Sequence, residues 1–348
     1  MLPRHTLITK NGDRKHKPMG EYKLIGGCAL ASSLAAIGIL LANFGAAQGE
    51  EISPSTPSLE WKHVPQDGII KVSGRYRLHQ NMQVDRSTGI KVQADNVTID
   101  LCGHTLRFAG TPRKGTFGIV VSGQTGVTIS NGVVGGFWFN MHCTQNENLR
   151  IGNMQFDDIP YIAINVAQSK DVAICDNQFT NFRYDVPKDA KSTYVIGINI
   201  GAEGAVICNN RFSAEPEKGT AKDVEVETVF VLFSANVSKK CLVGQNEMMA
   251  SEVLPRSYGV WVATNAQATV VNNSIRNMKF GVCLATDASA LVCFNRFEVV
   301  PGGDVAVESY GVKALRAKDI SEIQNSFDGV SIPATLPESE KPHGVGKG

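Results

Sequence analysis

Aromatic residues make up only 7% of this 348-residue chain, and proline is sparse at 14 against 34 glycines. Few large rings argue against a core filled by bulky aromatics. They favour stacked small and branched side chains joined by many tight bends, which points to β structure rather than helix. A basic run is also missing beyond residue 47. Arg4, Lys10, Arg14, Lys15, Lys17 and Lys23 precede that point with only Asp13 and Glu21, so the remainder is slightly acidic. A nucleic-acid surface needs a basic patch or stripe, and that class is excluded. No cysteine pair has metal-ligand spacing and no cluster of His, Asp and Glu suggests zinc, so neither a metal nor a cofactor is expected.

What is present begins with a leader. The basic stretch ends at Lys23, and "LIGGCALASSLAAIGILLANFGAA" (24–47) follows without a charge. Gly45-Ala46-Ala47 supplies small residues for cleavage of a signal peptide. The apolar run is also long enough to span a bilayer as an uncleaved anchor. The basic flank stays inside in both cases, so the body is exported, periplasmic or secreted, and is tied to the inner membrane only if cleavage fails. Residues 48–60, with two prolines, read as a linker. Residues 61–332 read as the folded domain and 333–348 as a loose tail.

Within the domain a unit recurs. "VAICDNQFTNF" (172–182) returns as "AVICNNRF" (205–212), "ATVVNNSI" (268–275) and "LVCFNRF" (291–297). Each unit has a first apolar strand, a short polar turn, a second strand, an asparagine bend and a third apolar position. Units start near Gly89, Phe117, Trp138, Tyr161, Tyr194, Thr228, Ser257, Phe280 and Tyr310, about nine in all. Alternation places Ile119, Ile164, Ile198, Val260, Val282 and Val312 on one face. Asn177, Asn210, Asn246, Asn273, Asn295 and Asn325 align in one column, preceded by Cys102, Gly132 and Met154 in the earliest units. Asparagine tolerates unusual backbone angles, and its amide bonds both backbone and a copy of itself one layer away.

On "VTIDLCGHTL" (97–106) and these bends, the chain resembles the right-handed parallel β-helix proteins of the pectate-lyase-like superfamily, over about residues 89–332. The resemblance implies an all-β fold, a single β-helix with an interior asparagine ladder, and an extended polysaccharide lying on the outer face of the first strands. Residues 68–84 are expected to cap the stack, because an open terminal layer exposes core and strand edges. Polygalacturonase motifs are missing, since "CGHTL" is not G-H-G, and so are the clustered calcium-binding aspartates of pectate lyases. His104 is expected to serve a bend.

Cys175, Cys208 and Cys293 share a column with Val271 and Ile323, which reads as packing rather than as a disulfide framework. Cys175 and Cys208 are stacked neighbours, but bridge geometry is demanding.

Outward positions of the first strands are His142, Asn165, Asn199, Phe233, Trp261, Cys283 and Lys313, beside Val120. Small residues, Gly118, Ala163, Gly197, Gly259, Gly281 and Gly311, are expected to floor a groove, with Ser122, Ala167, Gly201 and Ala263 beyond them. Long connections at 109–116, 180–193, 213–227, 251–257 and 298–309 are expected to wall it. β-Elimination or C5 epimerisation of a uronic acid needs a carboxylate clamp, a base and, for a lyase, an acid. His142 is the candidate base, Tyr184 the acid, and Arg183 or Lys188 the clamp, while Asn165, Asn199, Trp261 and Lys313 contact the sugar chain. Hydrolysis needs paired carboxylates at a fixed separation, and the adjacent Asp157 and Asp158 are expected to point apart. The reading is therefore an acidic-polysaccharide lyase or epimerase, with a non-catalytic glycan-binding or surface-assembly β-helix as the alternative.

Overall fold

The computed structural model describes residues 60–183, 192–215, 225–300 and 309–335. The leader and linker expectations therefore lie outside the described residues, as do Tyr184 and Lys188.

Every strand pairing among the described residues is parallel, and no helix is present among them. Each turn of the chain lays three short strands on the turn before. A connection that returns a strand to a parallel neighbour is right-handed in the great majority of cases, because the strands themselves twist right-handedly. The chain is a right-handed parallel β-helix. First strands stack in register from Thr88–Val92 through Phe117–Ser122 and Phe139–Thr144 to Tyr310–Ala314. The last tier, Ile332–Thr335, pairs Ile332 with Tyr310 and carries the strand past the expected limit at 332. At the other end Trp61–His63 pairs with Gly74–Arg77, and Arg75 lies over the Trp61 ring at 4.1 Å.

Why the units stack is visible in their interior. Ile119, Ile164, Ile198, Val260, Val282 and Val312 form one fully buried column. A second column holds rings: Phe156, Phe179 and Phe212 follow one another in register, and Phe230 from the next first strand packs on Phe212, at centroid separations of 5.0, 4.4 and 5.3 Å. Although aromatics are few overall, the largest fully buried side chains are mostly phenylalanines.

Gly118, Gly197, Gly259, Gly281 and Gly311 prove to face this interior, not an outer groove. A Cβ on Gly197 would stand 2.8 Å from the Phe212 ring, and one on Gly259 2.9 Å from Ile275. Each glycine is followed by another inward residue, as in Gly118-Ile119, so strict alternation fails within the first strand. The missing side chain is what admits the ring.

The asparagine column is as expected and is buried up to Asn295. Asn177 Nδ2 donates to Asn210 Oδ1 (3.0 Å), Asn210 to Asn246 (3.0 Å), Asn246 to Asn273 (2.9 Å), Asn273 to Asn295 (2.9 Å) and Asn295 to Asn325 (3.1 Å). Asn177 Oδ1 accepts from the Met154 backbone N–H, which starts the ladder at the expected tier. The two talents of asparagine are divided between neighbours. The residue before each ladder member, among them Asp176, Asn209, Gln245 and Asn272, holds a positive φ near 50–60°, and the ladder residue makes the bonds. Cys102 has this left-handed φ, so it matches Asn131 and not the ladder position.

The cysteine expectation is corrected: Cys175 and Cys208 are joined in a disulfide. Register sets them opposite one another with Cα atoms 4.7 Å apart, inside the range a bridge accepts. Of the remaining cysteines, Cys143, Cys241, Cys283 and Cys293 are buried thiols.

Candidate functional site

The outer face of the first-strand sheet carries two ladders side by side. One is apolar and aromatic: Phe117, Phe139, Ile162, Ile196, Val229, Tyr258, Phe280 and Tyr310 succeed one another in register. The other runs Lys91, Val120, His142, Asn165, Asn199, Leu232, Trp261, Cys283, Lys313. All five outward residues singled out from the sequence, His142, Asn165, Asn199, Trp261 and Lys313, thus share one column. At about 4.8 Å per tier, His142 and Lys313 lie roughly 29 Å apart. Phe233 was misplaced by one residue: it is fully buried, and Leu232 takes the outward position.

A directional chain of hydrogen bonds runs along this column. Ser234 Oγ donates to Asn199 Oδ1 (2.9 Å), Asn199 Nδ2 to Asn165 Oδ1 (2.7 Å), and Asn165 Nδ2 meets His142 Nδ1 at 3.0 Å. With both amides oriented this way, His142 Nδ1 must accept, so its ring proton sits on Nε2. The ring is half-buried between Phe117 (5.2 Å) and Phe139 (5.3 Å), and burial lowers its pKa below the usual 6.5. His142 is therefore neutral at pH 7 but presents an N–H, while its lone pair is occupied. Because the folded-state pKa is depressed, the unfolded chain binds the proton first. The contribution of His142 to stability is complete above pH 6.5 and is lost as pH falls below it. His142→Gln, which does not titrate, is expected to flatten this part of the acid-unfolding profile in a pH series of thermal melts.

The middle of the first ladder is aliphatic. Ile162, Ile196 and Val229 form a small outer cluster, no more than 5% exposed, against which Phe139, Tyr161, Leu232, Tyr258 and Trp261 pack. Aromatic pairs flank it. Trp138 stacks on Tyr161 at 4.8 Å, and Trp261 lies 4.7 Å from Tyr258, which stacks on Phe280 at 4.9 Å. The Trp261 Nε1 atom is buried without a hydrogen-bond partner. Lys313 Nζ sits 4.2 Å from the Tyr310 ring centroid and 4.8 Å from that of Phe280.

Sequence reasoning missed the rim at the strand entrances. Tyr194 is in register with Glu227, and Arg256 Nη1 reaches Glu227 Oε1 at 3.5 Å. Burial, then the Glu227 charge, raises the pKa of Tyr194 and pushes that of Tyr258 up to about 12, so both stay protonated hydroxyls. They were hidden because strands extend into presumed loops. Ser192–Glu203 and Glu225–Phe233 begin inside 180–193 and 213–227, and 251–257 lies wholly within Glu247–Val262. The available signal was tyrosine at successive unit starts, Tyr161 and Tyr194.

Arg183, the proposed clamp, is held by its Nε 2.6 Å from Asp158 Oδ1. Asp157 and Asp158 do not point apart: both engage the Arg107 guanidinium, Asp158 at 3.0 Å. Asp158 has a φ of 55°, and that left-handed turn brings its carboxylate to the side of its neighbour. Asn181 Nδ2 further binds Asp157 Oδ1 at 2.6 Å. The pair is an ion-pair network rather than an acid and a base across a substrate. Two shallow troughs, about 350 and 400 Å³, lie on the second sheet and at the asparagine bend. Neither is lined by a His, Tyr or Arg.

Fold and face together define a parallel β-helix with an elongated, aromatic-flanked surface along its first strands, whose outward column is uncharged from Val120 to Cys283. No family model matches the chain, nor does the sequence of any curated protein. Among solved structures it is similar to the A-module of the mannuronan C-5 epimerase AlgE4 of Azotobacter vinelandii, at 14% identity over 80% of this chain and 87% of that one, TM-score 0.42. It is similar to an endo-xylogalacturonan hydrolase of Aspergillus tubingensis, at 12% identity over 78% and 93%, TM-score 0.45. The Streptococcus pneumoniae surface protein and adhesin PfbA matches at 14% identity over 75% and 68%, TM-score 0.35. At these identities the likeness concerns the fold, and the strand register of the chain itself carries the assignment.

Proposed function

We propose that this protein is exported and binds an extended polysaccharide along the first-strand face. One observation carries the reading: His142, Asn165, Asn199, Trp261 and Lys313 stand in a single outward column beside an aromatic ladder. A repeating ligand meets a repeating surface, ring faces receive the apolar sides of sugars, and amides receive hydroxyls. Export is supported by the basic flank and uncharged segment 24–47 and by the Cys175–Cys208 bridge, since disulfides persist in oxidising compartments.

The second reading is lyase- or epimerase-like action on an acidic polysaccharide, favoured by the depressed pKa of His142. It requires His142 to give up its bond to Asn165 before taking a C5 proton. The test is incubation of the full chain with a panel of polysaccharides. Binding, unsaturated-product absorbance and proton exchange at C5 are followed together. Binding without turnover is the expected result. If turnover is seen, His142→Gln should lower it by about 10²-fold with the fold intact. Absence of binding to every polymer overturns the surface reading.

A further inference from the structure

We infer that the ligand of this face is a neutral, hydroxyl-rich glycan and not a uronate polymer. The inference rests on the polysaccharide reading above.

From Val120 to Cys283 the outward column holds no charged side chain, and the only cations in it are Lys91 and Lys313 at its two ends. Lys313 is drawn onto the Tyr310 and Phe280 rings. The nearby guanidiniums are already matched, Arg183 with Asp158 and Arg256 with Glu227. A chain with a carboxylate on every sugar would lose hydration from Val120 to Leu232 without a cation beside it, since Lys279 and Lys313 lie over the Phe280 and Tyr310 rings at one end of the face, and that is costly on a half-buried surface.

The hydrogen-bonding inventory points the same way. In the ladder Asn199 uses one N–H towards Asn165 and one lone pair towards Ser234. It keeps one donor and one acceptor, the complement of a hydroxyl, which itself both donates and accepts. A carboxylate only accepts. His142 adds an Nε2–H, and the protonated Tyr194 and Tyr258 add hydroxyls.

The experiment measures affinity of the full chain for an unsubstituted β-glucan and a galactan against polygalacturonate and alginate, at low and high salt. The neutral arm should bind at least about tenfold more tightly at physiological ionic strength, and its Kd should change less than about twofold with salt, because screening acts only on charges. Asn199→Asp, which replaces the amide donor by an acceptor, should weaken the neutral arm by about tenfold. Tighter binding of a uronate polymer, weakening steeply with salt, overturns the inference and leaves the surface reading standing. Failure of all four polymers overturns both.

Discussion

Phe212→Ala should lower the unfolding free energy by about 3–5 kcal/mol. Phe212 is fully buried in the middle of a stack, 4.4 Å from Phe179 and 5.3 Å from Phe230. Its loss removes two ring contacts and leaves a void that rigidly paired strands on both sides cannot close. Urea unfolding followed by circular dichroism reads the change as a lower midpoint at constant slope. Gly197 gives an internal control. A Cβ there would stand 2.8 Å from the Phe212 ring and also 2.8 Å from the Phe230 carbonyl oxygen. Gly197→Ala alone is therefore destabilising. In combination with Phe212→Ala its penalty should shrink without vanishing, since the carbonyl contact survives removal of the ring. Additive effects would mean the glycine is not there to admit the phenylalanine.

The same pair shows where sequence reading reached its limit. Period and partner were legible: Asn177 to Asn325 recur at one offset from an apolar pair, and a repeat of that kind has one geometric meaning. Facing was not. Alternation assigns every second residue outward, but within the first strands Gly118 and Ile119, or Gly197 and Ile198, are both interior. A small residue at such a position looks the same in sequence whether it floors a groove or clears space for a ring. The slip from Leu232 to Phe233 arose in the next unit for the same reason, because Phe230 and Val231 are both interior. Polarity along the outer face was also hidden. The types of His142, Asn165 and Asn199 were visible, whereas the direction of their hydrogen bonds depends on Ser234 at the far end of the chain. That direction turns His142 from a free base into a donor. Asp157 and Asp158 were misread because a left-handed φ at Asp158 cannot be seen from two adjacent letters.

Asn210→Leu should destabilise the protein by about 3 kcal/mol, at the upper end of the cost of stranding a buried polar group, because more than one is stranded. Asn210 Nδ2 donates to the Ile174 carbonyl at 2.8 Å and to Asn246 Oδ1 at 3.0 Å. Its Oδ1 accepts both the backbone N–H and the Nδ2 of Asn177, each at 3.0 Å. Leucine matches the volume but leaves the Asn177 donors unmet in the interior of the stack. Asn210→Asp separates bonding from shape. An ionised aspartate would set its oxygen against the Ile174 carbonyl and Asn246 Oδ1, so burial and these acceptors must raise its pKa in the folded state. A raised pKa means the folded form binds the proton more tightly than the unfolded one, so the variant should gain stability as pH falls towards the usual carboxylate range of about 4. Asn210→Leu should show no such gain. A pH series of urea midpoints on the two variants distinguishes them, and an aspartate variant indifferent to pH would place Asn210 in water rather than in a ladder.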